Sequence, residues 1–345
     1  MIVKKIILSV LIIYIYIAII SIIKLNLRKS TVRIKYYFNR HPIVIIGNIS
    51  NQNCIIQSAE QIINESIINR YSNNIPKLIH YVYKDNYLPL NYQTHIKECM
   101  KINVDAKFIL WTDFSVYNLV INDFPEFLDI YSSYFKKSID SLKISDINRY
   151  FIMWKFGGIY MDLDTKCQKP FGLAMGNKSC FLSKEVEVQS QILFNYEFLA
   201  MNSLMACIPK HNFFKYIIVE LKEADNTFIL KQTGPIMLTE LYKSYSKSMV
   251  GKELEENFVH LTDAYLFSPM IEVYLERFCR GLLSRKFQIQ GCKNLKCQRE
   301  IQRTKEDSSI AIHLFMHLGY EYNKQLIHHK QHACMAFNNI HSVWS

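Results

Sequence analysis

The chain has 345 residues, half of them hydrophobic and about a fifth charged, with 10 Gly and 8 Pro. That composition excludes disordered, collagen-like and low-complexity proteins, and the length allows one large domain or two ordinary ones around a sizeable core. The 41 Lys and Arg against 30 Asp and Glu give 41 − 30 = +11, which favours anionic partners: nucleic acid, anionic lipid headgroups or phosphorylated small molecules.

From the amino terminus, Ile6 to Ile23 runs for 18 residues without a charge, after Lys4 and Lys5. At ~1.5 Å per residue this stretch just spans a hydrocarbon core of roughly 30 Å. A cleaved signal peptide has an apolar stretch of about 7–15 residues and a small-x-small cleavage site. Lys24-Leu25-Asn26-Leu27-Arg28 offers no such site, so the stretch reads as an uncleaved membrane anchor behind a short tail, residues 1–5. Basic residues flank it on both sides, and the sequons at Asn48, Asn64 and Asn177 are no more than chance supplies, so physics alone leaves the topology open. Residues 24–74 are polar and Asn-rich and read as a stem, with a strand over Ile43-Val44-Ile45-Ile46 as the competing reading.

From Ile75 the pattern changes. Lys77 to Tyr83, KLIHYVY, is an apolar, β-branched and aromatic run of the kind that forms a buried strand. Asn91 to Ile102 has helical spacing, and Lys107 to Trp111, KFILW, is a second strand. Together they predict a β-α-β unit and a parallel sheet. Leu142 to Phe156 carries Ile144, Ile147, Phe151 and Trp154 at near-helical spacing and stops at Gly157-Gly158. A strand from Ile159 to Leu163 runs into Asp164. It is followed by a strand at Leu204–Ile208, a helix over Phe213–Ala224, the segment TGPIMLTELYKSY from Thr233, and a last strand at Ser309–His313. One α/β domain from about residue 75 to 335 is predicted. Nine cysteines include no Cys-x-x-Cys pair, so a zinc ribbon or thioredoxin-type site has no support. Cys292 and Cys297 enclose a short basic segment suited to a small disulfide loop, and the odd count leaves at least one cysteine free or paired between chains.

The chemistry concentrates in SDINRYFIMWKFGGIYMDLD, Ser145 to Asp164. On the strand reading, Asp162 and Asp164 stand two apart and project their carboxylates from one face. Two such charges repel, and a divalent cation resolves the conflict; hard oxygen ligands suit Mg²⁺ or Mn²⁺ with open positions for phosphate oxygens. The carboxyl end of a parallel strand is also where open α/β sheets bind ligands. Asp146 and Arg149 lie one helical turn apart on the preceding helix. Each motif alone is weak; a solvated strand end and a surface ion pair are the plainer alternatives.

Taken together, the run resembles the DXD-containing sugar-binding region of glycosyltransferase family 32. So do IPKLIHYVY near Ile75, LWTD at Leu110–Asp113, MACIPKHNFF at Met205 and TGPIMLT at Thr233. The resemblance implies a GT-A-type, Rossmann-like nucleotide-sugar-binding domain that retains anomeric configuration. Asp162 and Asp164 would hold Mn²⁺ or Mg²⁺ and the donor diphosphate, while Asp146 and Arg149 would contact donor sugar and ribose. Tyr160 matches the aromatic before the DXD motif, and Tyr83 stands where the related toxin domain stacks a Trp on the nucleobase. Gly234 and Pro235 match an acceptor-side turn, although Pro235 equally suits an ordinary helix start. His313 becomes a candidate metal or diphosphate ligand, with His317 competing.

The activity implied is metal-dependent transfer of a hexose from a nucleotide sugar, GDP-mannose favoured and UDP-hexoses open, to a glycolipid or glycan acceptor. Front-face attack by the acceptor hydroxyl, without a protein nucleophile, is the implied route. The anchor then implies a single-pass type II protein of the Golgi or ER membrane with a lumenal catalytic domain. The competing readings are an anchored module of the same fold that has lost its chemistry, and a metal-binding protein using His328, His329 and His332. The basic residues are dispersed, which argues against nucleic acid as the partner.

Overall fold

The computed structural model describes residues 74–85, 87–136, 141–249, 257–272, 274–280 and 285–314, with three short strands at 44–47, 55–57 and 330–332. The expected anchor at 6–23 and His317 lie outside the described residues. Among the described residues no helix is long and apolar enough to cross a membrane.

The strands are β1 Val44–Gly47, β2 Ile55–Gln57, β3 Leu78–Tyr83, β4 Tyr87–Pro89, β5 Lys107–Thr112, β6 Gly158–Met161, β7 Thr165–Cys167, β8 Cys180–Lys184, β9 Ala200–Cys207, β10 His260–Leu261, β11 Ala311–His313 and β12 Lys330–His332. The main helices are α1 Leu90–Ile102, α2 Asp113–Asp123, α3 Leu128–Lys136, α4 Ser141–Phe156, α5 Asn212–Val219, α6 Pro235–Met249 and α7 Lys286–Lys305. Eight strands form one sheet in the order β10-β8-β9-β6-β3-β5-β1-β2. Its centre is parallel, β5 and β6 both running with β3, while β9 joins antiparallel to β6 and to β8. The sheet is therefore mixed and not wholly parallel as expected. The run at 43–46 contributes β1, paired antiparallel with β5, so the sheet also takes strands from the expected stem.

The continuous apolar runs of β3 and β5 follow from cover on both faces. Leu78, Val82, Ile109 and Trp111 enter one core with α2, α3 and α4, whereas Ile79, Tyr81, Phe108 and Leu110 enter the other with α1. Each such side chain contributes about 1.5–3 kcal/mol relative to exposure. Helix α2 starts on a reciprocal cap between Thr112 and Ser115. Helix α4 ends at Gly157 and Gly158, with φ of +61° and +89°. A side chain at Gly157 would also stand 2.6 Å from the Cys207 carbonyl oxygen, so only glycine turns the chain there.

Beneath this turn His80 is fully buried on β3. Trp111 Nε1 donates to its Nδ1 at 3.0 Å, which leaves Nε2–H to donate to the Gly157 carbonyl at 2.9 Å. Burial drives the imidazole to about 4, only partly opposed by the Gly157 carbonyl, so it stays neutral. The unfolded chain takes up this proton first as pH falls from 6.5, and the stability held by neutral His80 is lost progressively toward pH 4. The shift corresponds to about 3 kcal/mol. Asp113 and Glu185, both pushed up to about 7 by burial, act in the opposite direction, so the comparison must be made against a variant. The stability advantage of the wild type over His80→Gln is expected to shrink between pH 6.5 and 4 in urea titrations; a constant difference would exclude this role.

The disulfides correct the sequence expectation. Cys99–Cys167 ties α1 to β7, Cys180–Cys207 bridges directly opposed residues of β8 and β9, and Cys279–Cys292 fastens α7. Cys297 is exposed and free. A Cys292–Cys297 loop is excluded because both residues lie on α7, where five positions turn the side chains about 140° apart.

Candidate donor-sugar site

The central strand β3 has β5 on one side and β6 on the other, so the chain reverses direction of travel beside β3. A crevice outside the carboxyl ends of β3 and β6 is the expected ligand position in such a sheet. Tyr83 closes β3, and Asp162 follows β6 directly.

Asp162 and Asp164 do not sit on the strand as expected. β6 ends at Met161, and the two residues form a turn in which Thr165 N donates to Asp162 O at 3.0 Å. The turn brings the carboxylates together by curvature instead of strand alternation. It is held from both sides: Asp162 N donates to Ser203 O on β9, and Leu314 N donates to Asp164 O. β11 pairs antiparallel with β7 and sets His313 opposite Thr165. His313 Nε2 thereby lies 3.2 Å from Asp164 Oδ1 and 3.8 Å from Asp162 Oδ2.

The helix pair proves to be part of the same unit. Arg149 reaches 3.3 Å from Asp146 Oδ1 and 3.2 Å from Asp162 Oδ1, and also donates to the Asn202 carbonyl at 2.8 Å. Its guanidinium lies 4.6 Å above the Tyr160 ring, whose hydroxyl donates to Asp162 Oδ1 at 2.7 Å. Asp146 is further fixed by Asn202 Nδ2 at 2.8 Å and Thr233 Oγ1 at 2.9 Å. Burial works against the charge on Arg149, but Asp162, with Tyr160 and Asp146, outweighs it and keeps the guanidinium protonated. Burial pushes the carboxyls of Asp146 and Asp162 up, and Arg149 pulls both back. Burial likewise resists charge on His313, yet Asp164, Asp162 and Glu185 hold it at about 9.

Asp162, Asp164 and His313 each offer one atom, and the three lie within 4.8 Å of one another. Two carboxylate oxygens and one imidazole nitrogen suit a divalent cation, and Mn²⁺ accommodates the nitrogen better than Mg²⁺ does. The protonated imidazole occupies the place of positive charge that such an ion would take over, so the donor set fits.

Tyr83 lies at the same end of the sheet, its ring 6.3 Å and edge-on from Tyr92. Tyr92 senses the charges of Asp164 and Asp162 and was not singled out by sequence, nor were Asn202, Thr233 as a side-chain ligand, or Glu185. Glu185, buried at the end of β8, accepts from Val186 N at 3.0 Å and faces the charge of His313. Only Thr233 carried a signal, as neighbour of the Gly-Pro pair.

Residues 89–182 match the family described as a glycosyltransferase sugar-binding region containing the DXD motif. That span holds Asp146, Arg149, Tyr160, Asp162 and Asp164 on one segment. This stretch carries a glycosyltransferase sugar-binding region with the DXD motif. The chain is 30% identical over 184 residues to mannosyl phosphorylinositol ceramide synthase SUR1 of Saccharomyces cerevisiae, covering 52% of this chain and 44% of that protein. It is 36% identical over 110 residues to inositol phosphoceramide mannosyltransferase 3 of Schizosaccharomyces pombe, covering 32% and 30%. The chain thus spans less than half the length of these relatives. Among solved structures, PaToxG glycosyltransferase aligns over 73% of this chain and 94% of that one, with 16% identity and a TM-score of 0.39.

Proposed function

We propose that this chain is a metal-dependent, retaining glycosyltransferase that moves a hexose, with mannose from GDP-mannose the preferred donor, to a ceramide-type glycolipid acceptor. The observation that carries the reading is the continuous unit Asp146–Arg149–Asp162, with Asp164 and His313 beside it, whose members other than His313 lie in the matched sugar-binding region. The catalytic domain has the GT-A type of fold in this reading.

Asp162, Asp164 and His313 would hold the cation, which supplies positive charge for the departing nucleoside diphosphate. Arg149 is fixed before the donor arrives, by two carboxylates, a carbonyl and a ring face, so it costs no reorganisation when charge develops beside it. Asp146 is oriented by Asn202 and Thr233 and presents fixed acceptors toward sugar and ribose hydroxyls. Tyr83, half-buried at the neighbouring strand end with Tyr92 buried edge-on behind it, provides a ring for a nucleobase. Asp162 and Asp164 are too close together to divide acid and nucleophile roles, so front-face attack by the acceptor hydroxyl is the route. The three disulfides among the described residues support residence in an oxidising compartment, in keeping with a type II protein of the Golgi or ER membrane and a lumenal domain.

The test is Mn²⁺-dependent hydrolysis of a panel of nucleotide sugars by the full chain. GDP release from GDP-mannose, lost with EDTA, is expected; selective UDP release would reassign the donor. Silence across the panel, from folded protein with no donor-induced rise in melting temperature, would favour the non-catalytic module.

A further inference from the structure

Of the three Asn-x-Ser sequons, Asn48 and Asn64 lie outside the described residues and Asn177 lies within them. Asn177 is exposed in a tight turn between a one-turn helix, Gly172–Met175, and β8. Gly176, just before it, has φ of +48°, and Lys178 N donates back to Met175 O at 3.1 Å. The space around the turn is open. A Cβ placed on Gly172 would meet nothing within 4 Å, and one on Gly176 would meet the end of the Lys178 side chain at 3.8 Å. A bulky hydrophilic group on Asn177 therefore displaces no packed atom.

Ser179, the third residue of the sequon, is buried. Its carbonyl accepts from Ile208 N at 2.8 Å, and Cys180 beside it is paired with and disulfide-bonded to Cys207. The folded turn presents the asparagine amide and hides the hydroxyl that the sequon requires, so attachment belongs to the emerging chain. The order of synthesis permits it. Cys207 follows Cys180 by 27 residues, which take roughly 1–5 s to make at about 5–20 residues per second. Disulfide formation takes seconds to hours, so the turn is still open when Asn177 emerges. The position also spares the donor crevice. Cys207, opposite Cys180, faces Gly158 at the start of β6, whereas Asp162 follows the other end of that strand. Phe171 N donates to Asn103 Oδ1 at 2.8 Å, in the connection that leads into the amino end of β5. Both contacts place the turn at the amino ends of the parallel strands, away from the donor side.

We infer that Asn177 is an N-glycosylation site of this chain, modified in the lumen before β8 pairs with β9. The co-reactant is an oligosaccharide carried on a lipid diphosphate. Its anomeric carbon leaves the diphosphate oxygen and bonds to Asn177 Nδ2, which releases one proton. The inference rests on the lumenal placement in the proposed function and not on the transfer chemistry of the donor site.

The full chain is expressed in a eukaryotic host that glycosylates its secretory proteins, and sealed microsomes are prepared. Each sequon is read by glycosidase-sensitive mobility and by mass spectrometry of the peptide that contains it. A glycan on Asn177 is expected, lost in Asn177→Gln and in Ser179→Ala and kept in Ser179→Thr. A glycan on Asn48 or Asn64 with Asn177 bare overturns the site and leaves the lumenal reading standing. A chain bare at all three sequons but protected from protease added outside the vesicles does the same. A bare chain that this protease digests overturns the site and the lumenal reading together.

Discussion

Asp164→Asn is expected to lower Mn²⁺-dependent donor hydrolysis by at least about a hundredfold while the metal-free fold stays close to wild-type stability. Asp164 is one of the three ligand atoms of the cluster, and it is also the nearer partner of His313. Its neutral amide keeps the shape of the turn, whose Leu314 N–H to residue-164 carbonyl bond is made by the backbone. Removing one of two facing carboxylates relieves repulsion but also withdraws the counter-charge of His313, and the two effects offset. Melting temperature separates ligand loss from damage. A bound ion at about a hundred times its Kd stabilises the native state by about 2.7 kcal/mol, so the wild type should gain several degrees with Mn²⁺ and the variant almost nothing. A variant that keeps both its Mn²⁺-induced rise and its turnover would remove Asp164 from the site.

The second large effect is expected at Arg149. Replacement by Met keeps most of the apolar stem but leaves buried Asp146 and partly exposed Asp162 facing each other without the guanidinium. Breaking a buried pair on one side costs about 3–5 kcal/mol, and donor turnover should vanish with it. Adding Asp162→Asn to Arg149→Met should restore part of the lost stability in urea unfolding, because one uncompensated carboxylate disappears. Strict additivity of the two changes would contradict the shared ion cluster. Arg149→Lys is expected to resemble Met more than wild type. A single ammonium cannot meet Asp146, Asp162 and the Asn202 carbonyl at once while lying flat over Tyr160.

The parts legible in the sequence are those where one physical requirement dominates. β3 and β5 are continuous apolar runs because both faces are covered, and α4 stops at two glycines because the chain must adopt left-handed angles there. Asp146, Arg149, Asp162 and Asp164 stood out through their spacing together with the surrounding run. β9 was placed too late, at Leu204 and not Ala200, because Asn202 and Ser203 interrupt its apolar character. Asn202 is polar because its amide orients Asp146; the contact of Ser203 with the Asp162 amide is made by its backbone carbonyl. The expected helix over 213–224 ends at Val219 because the following residues are drawn to α3: Tyr134 donates to the Lys222 carbonyl, and Ala224 N donates to Ser133 Oγ. Glu185 left no trace in local sequence, since only the packing of β8 beneath the site makes its burial meaningful.

The pairing of β11 with β7 also bears on the order in which the molecule acquires its chemistry. His313 comes from a strand 149 positions beyond Asp164, counted as 313 − 164, and the same strand exit anchors the Asp164 backbone. A ribosome that has released only the first two hundred residues has already delivered every donor-side charge of α4 and the DXD turn, yet no complete cation cage. If Asp162, Asp164 and His313 hold the proposed cation, the emerging polypeptide lacks its third ligand until β11 has been made and pairs with β7 across the turn.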